Sequence, residues 1–189
     1  MPRDAGRSAQ RAGLTSLRII GIDPGLVDTG YGVVDVAGGC VRLVEAGLVR
    51  TTSSAPVEVR LREIFEGVLA LLSEHLPAAV IVEDLYTSYR HPRTAVLMGH
   101  ARGVILLAAG SKGIEVVSYP PARVKKALTG RGTASKEQIQ RMVQVRLGLD
   151  EVPEPDHVAD ALALALCHHN FLTHALNQSG VARTRTEGG

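Results

Sequence analysis

The chain has 189 residues, of which 45% are hydrophobic and 21% charged, with a formal net charge of +2. This length and apolar content suit one domain with a sizeable core, and the small net charge excludes a simple polybasic nucleic-acid-binding tail. Aromatic residues make up only 3% and Trp is absent, so the core must be aliphatic, which favours helices packed on a strand-rich centre.

Residues 1–15 are polar, rich in Gly, Ala and Arg, and aperiodic. They read as a disordered leader with no apolar signal-peptide segment. The two cysteines, Cys40 and Cys167, fit reduced thiols and a cytoplasmic location. No apolar run reaches membrane-spanning length; residues 104–109 are too few.

Residues 17–23 (Leu-Arg-Ile-Ile-Gly-Ile-Asp) read as a buried strand ending on a carboxylate. Residues 30–36 and 41–51 read as the next two strands, with Gly38-Gly39 as the hairpin turn between them. These links are too short for parallel crossovers, so the first three strands form an antiparallel meander. Pro56 opens a helix whose apolar positions, Leu61, Ile64, Phe65, Val68, Leu71 and Leu72 among them, recur at helical spacing up to Pro77.

A fourth strand at 78–83 again ends on a carboxylate, Glu83. Helix 94–109, strand 114–119 and a short helix at 121–128 follow. Ser135 caps a further helix to about residue 147, and the last helix starts at 155–156 and runs to about 176. The order is β-β-β-α-β-α-β-α-α-α. It predicts an α/β fold with a mixed five-stranded sheet and helices on both faces. The domain spans residues 16–178, and 179–189 read as a flexible tail.

Three acidic groups therefore lie at the ends of apolar elements. An unpaired charge at the end of a buried strand is costly, so Asp23 needs a cation or a donor. Gly25, Gly30 and Gly32 leave room for a substrate backbone. Glu83 repeats the pattern, but Asp84 follows it, and side-chain alternation alone does not say which of the two faces the site. His157 and Asp160 share a helix face, and so do Asp156 and Asp160. Asp156 also suits an N-cap. Oxygen ligands with at most one imidazole suit Mg²⁺ or Mn²⁺, and such a set can hold two ions that promote phosphodiester hydrolysis.

Four segments carry a family resemblance: Gly21-Ile22-Asp23-Pro24-Gly25 with Thr29-Gly30-Tyr31-Gly32-Val33; Ile81-Val82-Glu83; Gly99-His100-Ala101-Arg102-Gly103-Val104; and Ala159-Asp160-Ala161-Leu162-Ala163. In their order and spacing, residues 17–169 resemble the RuvC family of Holliday junction resolvases. The resemblance implies an RNase H-like fold and a homodimer that resolves four-way DNA junctions by paired symmetric nicks in recombination and repair. It also implies divalent-metal dependence and cooperation with the RuvA–RuvB branch-migration complex. Asp23, Glu83 and Asp160 match family catalytic acids. His157 stands where the family often has Asp and is taken as a metal ligand, with Asp156 as the alternative. Tyr86 matches an aromatic beside the junction centre, with Arg90 and Arg93 in or next to its basic loop. Lys125 and Lys136 match basic positions near the active site, and Arg123 and Arg131 extend a phosphate-binding rim. Gly99 and Gly103 would line the dimer seam.

Two other classes compete. An actin-like ATP-binding protein shares the strand–Asp–Gly–Thr opening but needs two lobes. A related RNA-processing nuclease, or an idle nucleic-acid-binding module, is the other.

Overall fold

A computed structural model describes residues 16–84 and 92–184. The elements follow in the expected order: β1 (Leu17–Asp23), β2 (Asp28–Ala37), β3 (Cys40–Arg50), α1 (Val57–His75), β4 (Ala79–Glu83), α2 (Pro92–Ser111), β5 (Glu115–Tyr119), α3 (Pro121–Thr129), α4 (Lys136–Leu147) and α5 (Asp156–Thr184). They build one five-stranded sheet in the order β3-β2-β1-β4-β5. The meander β1–β2–β3 is antiparallel, while β4 and β5 run parallel to β1. Gly38 and Gly39 both have positive φ, the geometry a two-residue hairpin loop requires.

Side-chain alternation splits the core into two layers. Ile20, Ile22, Val80 and Val82 face α1 and α2, where they meet Ile64, Val68, Leu72, Ala101 and Ile105. Ile19 and Ile81 face the other way, toward Val124, Ile139, Val143, Leu162 and Leu166 of α3, α4 and α5. Full burial of each such aliphatic side chain contributes about 1.5–3 kcal/mol. The same alternation sends Asp23 and Glu83 toward the α3–α5 layer, because they are in phase with Ile19 and Ile81.

Local signals fix the helix ends. Ser135 accepts from Gln138 N–H, and the Gln138 side chain accepts in turn from Ser135 N–H, a complete capping box. Helix α1 ends on Leu76 in the left-handed region at φ 45°, and Pro77 blocks further extension.

Helix α5 lies directly on the sheet, which corrects the expected use of two glycines. A Cβ on Gly30 would strike the carbonyl of His157, and one on Gly32 would strike Leu162. Gly21 faces the carbonyl of Ala161 in the same way. The space over β1 and β2 thus admits the helix backbone rather than a substrate. Gly25 faces the carbonyl of Asp28 within its own turn.

Two further expectations change. Helix α5 continues to Thr184 instead of ending near 176. Among the described residues, α2 is long and apolar enough to cross a membrane by length and composition, although most of its apolar window is not buried. The reading from residues 104–109 missed this because His100 and Arg102 interrupt the run. One side of α2 packs on α1 and the sheet, whereas Val96 and Leu107 on its outer side are 58% and 61% exposed.

Candidate active site

The parallel pairing of β1 and β4 sets Ile22 beside Val82, so Asp23 and Glu83 emerge next to each other from the same end of the sheet. A buried Thr29 secures the turn after Asp23. Its hydroxyl donates to the Gly25 carbonyl at 2.7 Å. The first turns of α5 cross above this end because Gly21 and Gly30 let the helix down onto it. Asp23, Glu83 and Asp160 consequently line one cavity of about 300 Å³, together with Lys125 of α3 and Lys136 of α4.

His157 Nδ1 lies 2.7 Å from Asp23 Oδ2. This hydrogen bond raises the His157 pKa against the opposing effect of burial. Lys136 Nζ reaches Asp156 at 3.0 Å and Asp160 at 3.3 Å. Burial would lower Lys136, but the two carboxylates outweigh it and leave the ammonium raised. Asp156 also accepts from Gln140 at 2.8 Å. It stands on the exposed side of α5, and its pKa is lowered first by Lys136 and then by Gln140.

The two deeper carboxyls behave in the opposite way. Burial, reinforced by the charges of Asp23 and Asp160, pushes Glu83 up to about 7, with Lys125 opposing. Burial and Asp23 likewise raise Asp160, with Lys136 opposing. Burial and neighbouring negative charge thus outweigh Lys125 and Lys136 at these two carboxyls, so further positive charge would be favourable there. A divalent cation fits this donor set, since three carboxylates supply hard oxygen ligands and one imidazole adds a nitrogen donor.

Alternation left Glu83 and Asp84 undecided. Glu83 lines the cavity, whereas Asp84 meets Arg102 of α2 at 3.3 Å. Arg102 also donates to the Glu83 carbonyl at 3.0 Å and to Ser118 at 2.8 Å. It clamps the end of β4 between α2 and β5, a contact that the motif around it does not specify and only the packing shows.

The basic residues divide. Lys125 and Lys136 line the cavity. Arg93 and Arg131 are exposed at the start of α2 and just after α3. Arg123 is not part of the acidic cleft. It lies two residues from Lys125 on α3, which turns it toward the other side of the helix. Its guanidinium covers Phe171 at 4.2 Å and Tyr119 at 5.3 Å from the ring centroids. There it borders a separate hollow with Lys126 and His174. Tyr86 and Arg90 lie outside the described residues. His168 and His169 diverge: His168 pairs with the Tyr119 hydroxyl at 2.9 Å, and His169 with the Gly39 carbonyl at 3.1 Å.

A second group escaped sequence reading. Glu45, Glu74 and His75 bring their donor atoms within 4.8 Å of one another. Glu74 and His75 are neighbours at a helix end, and Glu45 comes from an edge strand. Only the packing of α1 on the sheet unites them.

Residues 19–168 match the family model described as crossover junction endodeoxyribonuclease RuvC. A curated relative of that name from Rhodopirellula baltica is 47% identical over 161 residues, covering 85% of this chain and 90% of the relative. Another, from Brevibacillus brevis, is 44% identical over 167 residues, covering 88% of this chain and 100% of the relative. Among solved structures, T. thermophilus RuvC in complex with Holliday junction substrate superimposes with a TM-score of 0.79 at 40% identity, covering 84% of this chain and 96% of that one. The yeast mitochondrial Holliday junction resolvase Ydc2 shares the fold, with a TM-score of 0.65 at 10% identity over 89% of this chain and 86% of that one.

Proposed function

The chain belongs to the RuvC family of crossover junction endodeoxyribonucleases, and we propose that it resolves four-way DNA junctions by metal-assisted hydrolysis of two symmetric phosphodiesters. One observation carries this reading: Asp23, Glu83 and Asp160 line a single cavity whose other charged walls are Lys125 and Lys136. Acids that can hold cations and lysines that can meet a phosphate, gathered at one opening, suit a phosphate contacted by both.

Asp23, Glu83, Asp160 and His157 hold divalent metal in this reading. Mg²⁺ is the resident ion, with Mn²⁺ also usable, and two ions occupy each site. Held by these residues, such ions would supply activation of the attacking water and neutralisation of charge developing on the phosphate. His157 would bind as neutral imidazole, with its 2.7 Å contact to Asp23 setting the orientation of the ring. Lys136 transfers its contact from Asp156 and Asp160 to the phosphate, and Lys125 approaches the same group from α3. Arg102 positions Glu83 by holding its backbone carbonyl. The products carry a 5′-phosphate and a 3′-hydroxyl.

Around the cleft, Arg93 and Arg131 meet DNA phosphates, with Tyr86 and Arg90 contributing from the segment that follows Glu83, while Arg123 meets phosphate from the separate hollow beside Phe171. The outer stripe of α2, with exposed Val96, Leu107 and Gly103, serves as the seam of a homodimer whose two-fold axis matches that of the junction. Residues 16–178 act as one nuclease unit, working with the RuvA–RuvB complex in the cytoplasm. An actin-like ATPase is disfavoured because the chain covers nearly the whole length of relatives named as junction endonucleases.

The deciding experiment incubates the purified protein with a synthetic mobile four-way junction, a linear duplex and a structured RNA, each with Mg²⁺ or Mn²⁺. Paired nicks confined to the junction are expected. Preferential cutting of RNA, or junction cutting that persists in Asp23→Asn, overturns the reading.

A further inference from the structure

We propose that Glu45, Glu74 and His75 form a second cation site, which takes one divalent transition-metal ion of the Zn²⁺ class and fastens the end of α1 to the edge strand β3. Their donor atoms all lie within 4.8 Å of one another. His75 is only 7% exposed, and its Nε2 has no hydrogen-bond partner. That atom nevertheless lies 3.1 Å from Glu45 Oε2.

A close contact that fails as a hydrogen bond places the oxygen off the axis of the ring nitrogen. Two ligands of one tetrahedral ion stand in that relation. With bonds of about 2.0–2.1 Å they sit roughly 3.3 Å apart, each lone pair aimed at the ion between them. A buried ring nitrogen otherwise left without a partner is unfavourable.

The surroundings support the same assignment. The Tyr31 hydroxyl donates to the other Glu45 oxygen, Oε1, at 2.6 Å. Such an outer contact orients a carboxylate ligand and leaves Oε2 turned toward His75. Glu74 is exposed at the last turn of α1 and supplies the third donor, leaving a fourth position for water. One imidazole with two carboxylates and an open fourth position matches the four-coordinate sites that Zn²⁺ takes, with a larger nitrogen share than the cleft offers.

The site is remote from the cleft. The His75 carbonyl accepts from Arg18 near the start of β1, and Asp23 lies five residues further along that strand, roughly 17 Å at 3.3 Å per residue. The ion would therefore brace the fold without touching the cleavage chemistry.

The test uses the full chain carrying Asp23→Asn and Asp160→Asn, which weakens competition from the cleft. Titration calorimetry and thermal melting with Zn²⁺ are then compared with and without Glu74→Gln. Glu74 is exposed, so this substitution leaves the metal-free melting point unchanged and isolates ligation from folding. One bound equivalent and a Zn²⁺-dependent rise in Tm are expected, with no comparable rise from Mg²⁺. Glu74→Gln weakens Zn²⁺ binding by on the order of tenfold or more, and Tyr31→Phe by about tenfold through lost orientation. Absence of a bound equivalent, or unchanged affinity in Glu74→Gln, overturns the proposal.

Discussion

Asp23 at the end of β1 and His157 in the first turn of α5 are 134 residues apart in sequence, yet Oδ2 and Nδ1 meet at 2.7 Å. The contact raises the His157 pKa. A raised imidazole pKa gives stability that is fully present below the unfolded value and lost as pH rises through the folded one. His157→Gln is therefore expected to lower the metal-free Tm more at pH 5.5 than at pH 8.5. Equal losses at the two pH values would dissociate the pair from stability.

Glu83 carries the opposite sign. Its folded pKa, about 7, lies above the ordinary carboxylate value, so the folded state binds more protons between the two. Stability then falls as pH rises through that interval. Without divalent ions, Glu83→Gln should melt higher than the parent at pH 8, by about 2–4 °C for each kcal/mol relieved. The two proteins should converge near pH 4.5. Cleavage by the variant should drop by at least about a hundredfold, measured in single-turnover assays on a four-way junction. A variant melting lower at pH 8 would refute the crowding of negative charge in the cleft.

The approach of α5 to the sheet depends on the missing side chain of Gly21, which faces the Ala161 carbonyl. Gly21→Ala must lift the helix or bend the strand. A loss of about 1–3 kcal/mol is expected in urea unfolding, together with loss of cleavage because Asp160 moves with the helix. Wild-type stability would show that the helix rides higher than described.

Arg102 grips the Glu83 carbonyl, Asp84 and Ser118 from α2. Arg102→Lys keeps the charge but loses the planar fork that serves several acceptors at once. Cleavage should fall about tenfold, with a higher divalent-ion concentration needed for half-maximal rate. An unchanged metal requirement would reduce Arg102 to a purely structural brace.

The exposed pair Val96 and Leu107 on α2 sets a fifth test. Leu107→Glu should convert a dimer to a monomer by sedimentation, and paired nicking of a junction should become single or disappear. A monomeric parent, or a variant that still dimerises, would remove α2 from the seam.

Much of this was written locally. Apolar strands ending on acids announced β1 and β4, the short links of the first three strands required antiparallel pairing, and Ser135 with Gln138 marked the start of α4. Periodicity and capping act over a few residues, so a reader of the chain recovers them. The motifs around Asp23, Glu83 and Asp160 likewise singled out three acids that the structure places in one cavity. The sequence left open which of Glu83 and Asp84 faces inward, because alternation has no absolute phase until one strand is docked. Pairing of β4 beside β1 set that phase, sending Glu83 to the cavity and Asp84 to Arg102. The use of Gly21, Gly30 and Gly32 as a bed for α5, the turn of Arg123 toward Phe171, and the meeting of Glu45 with His75 were also invisible in the chain. Each joins residues from separate elements, and only packing decides which surfaces touch.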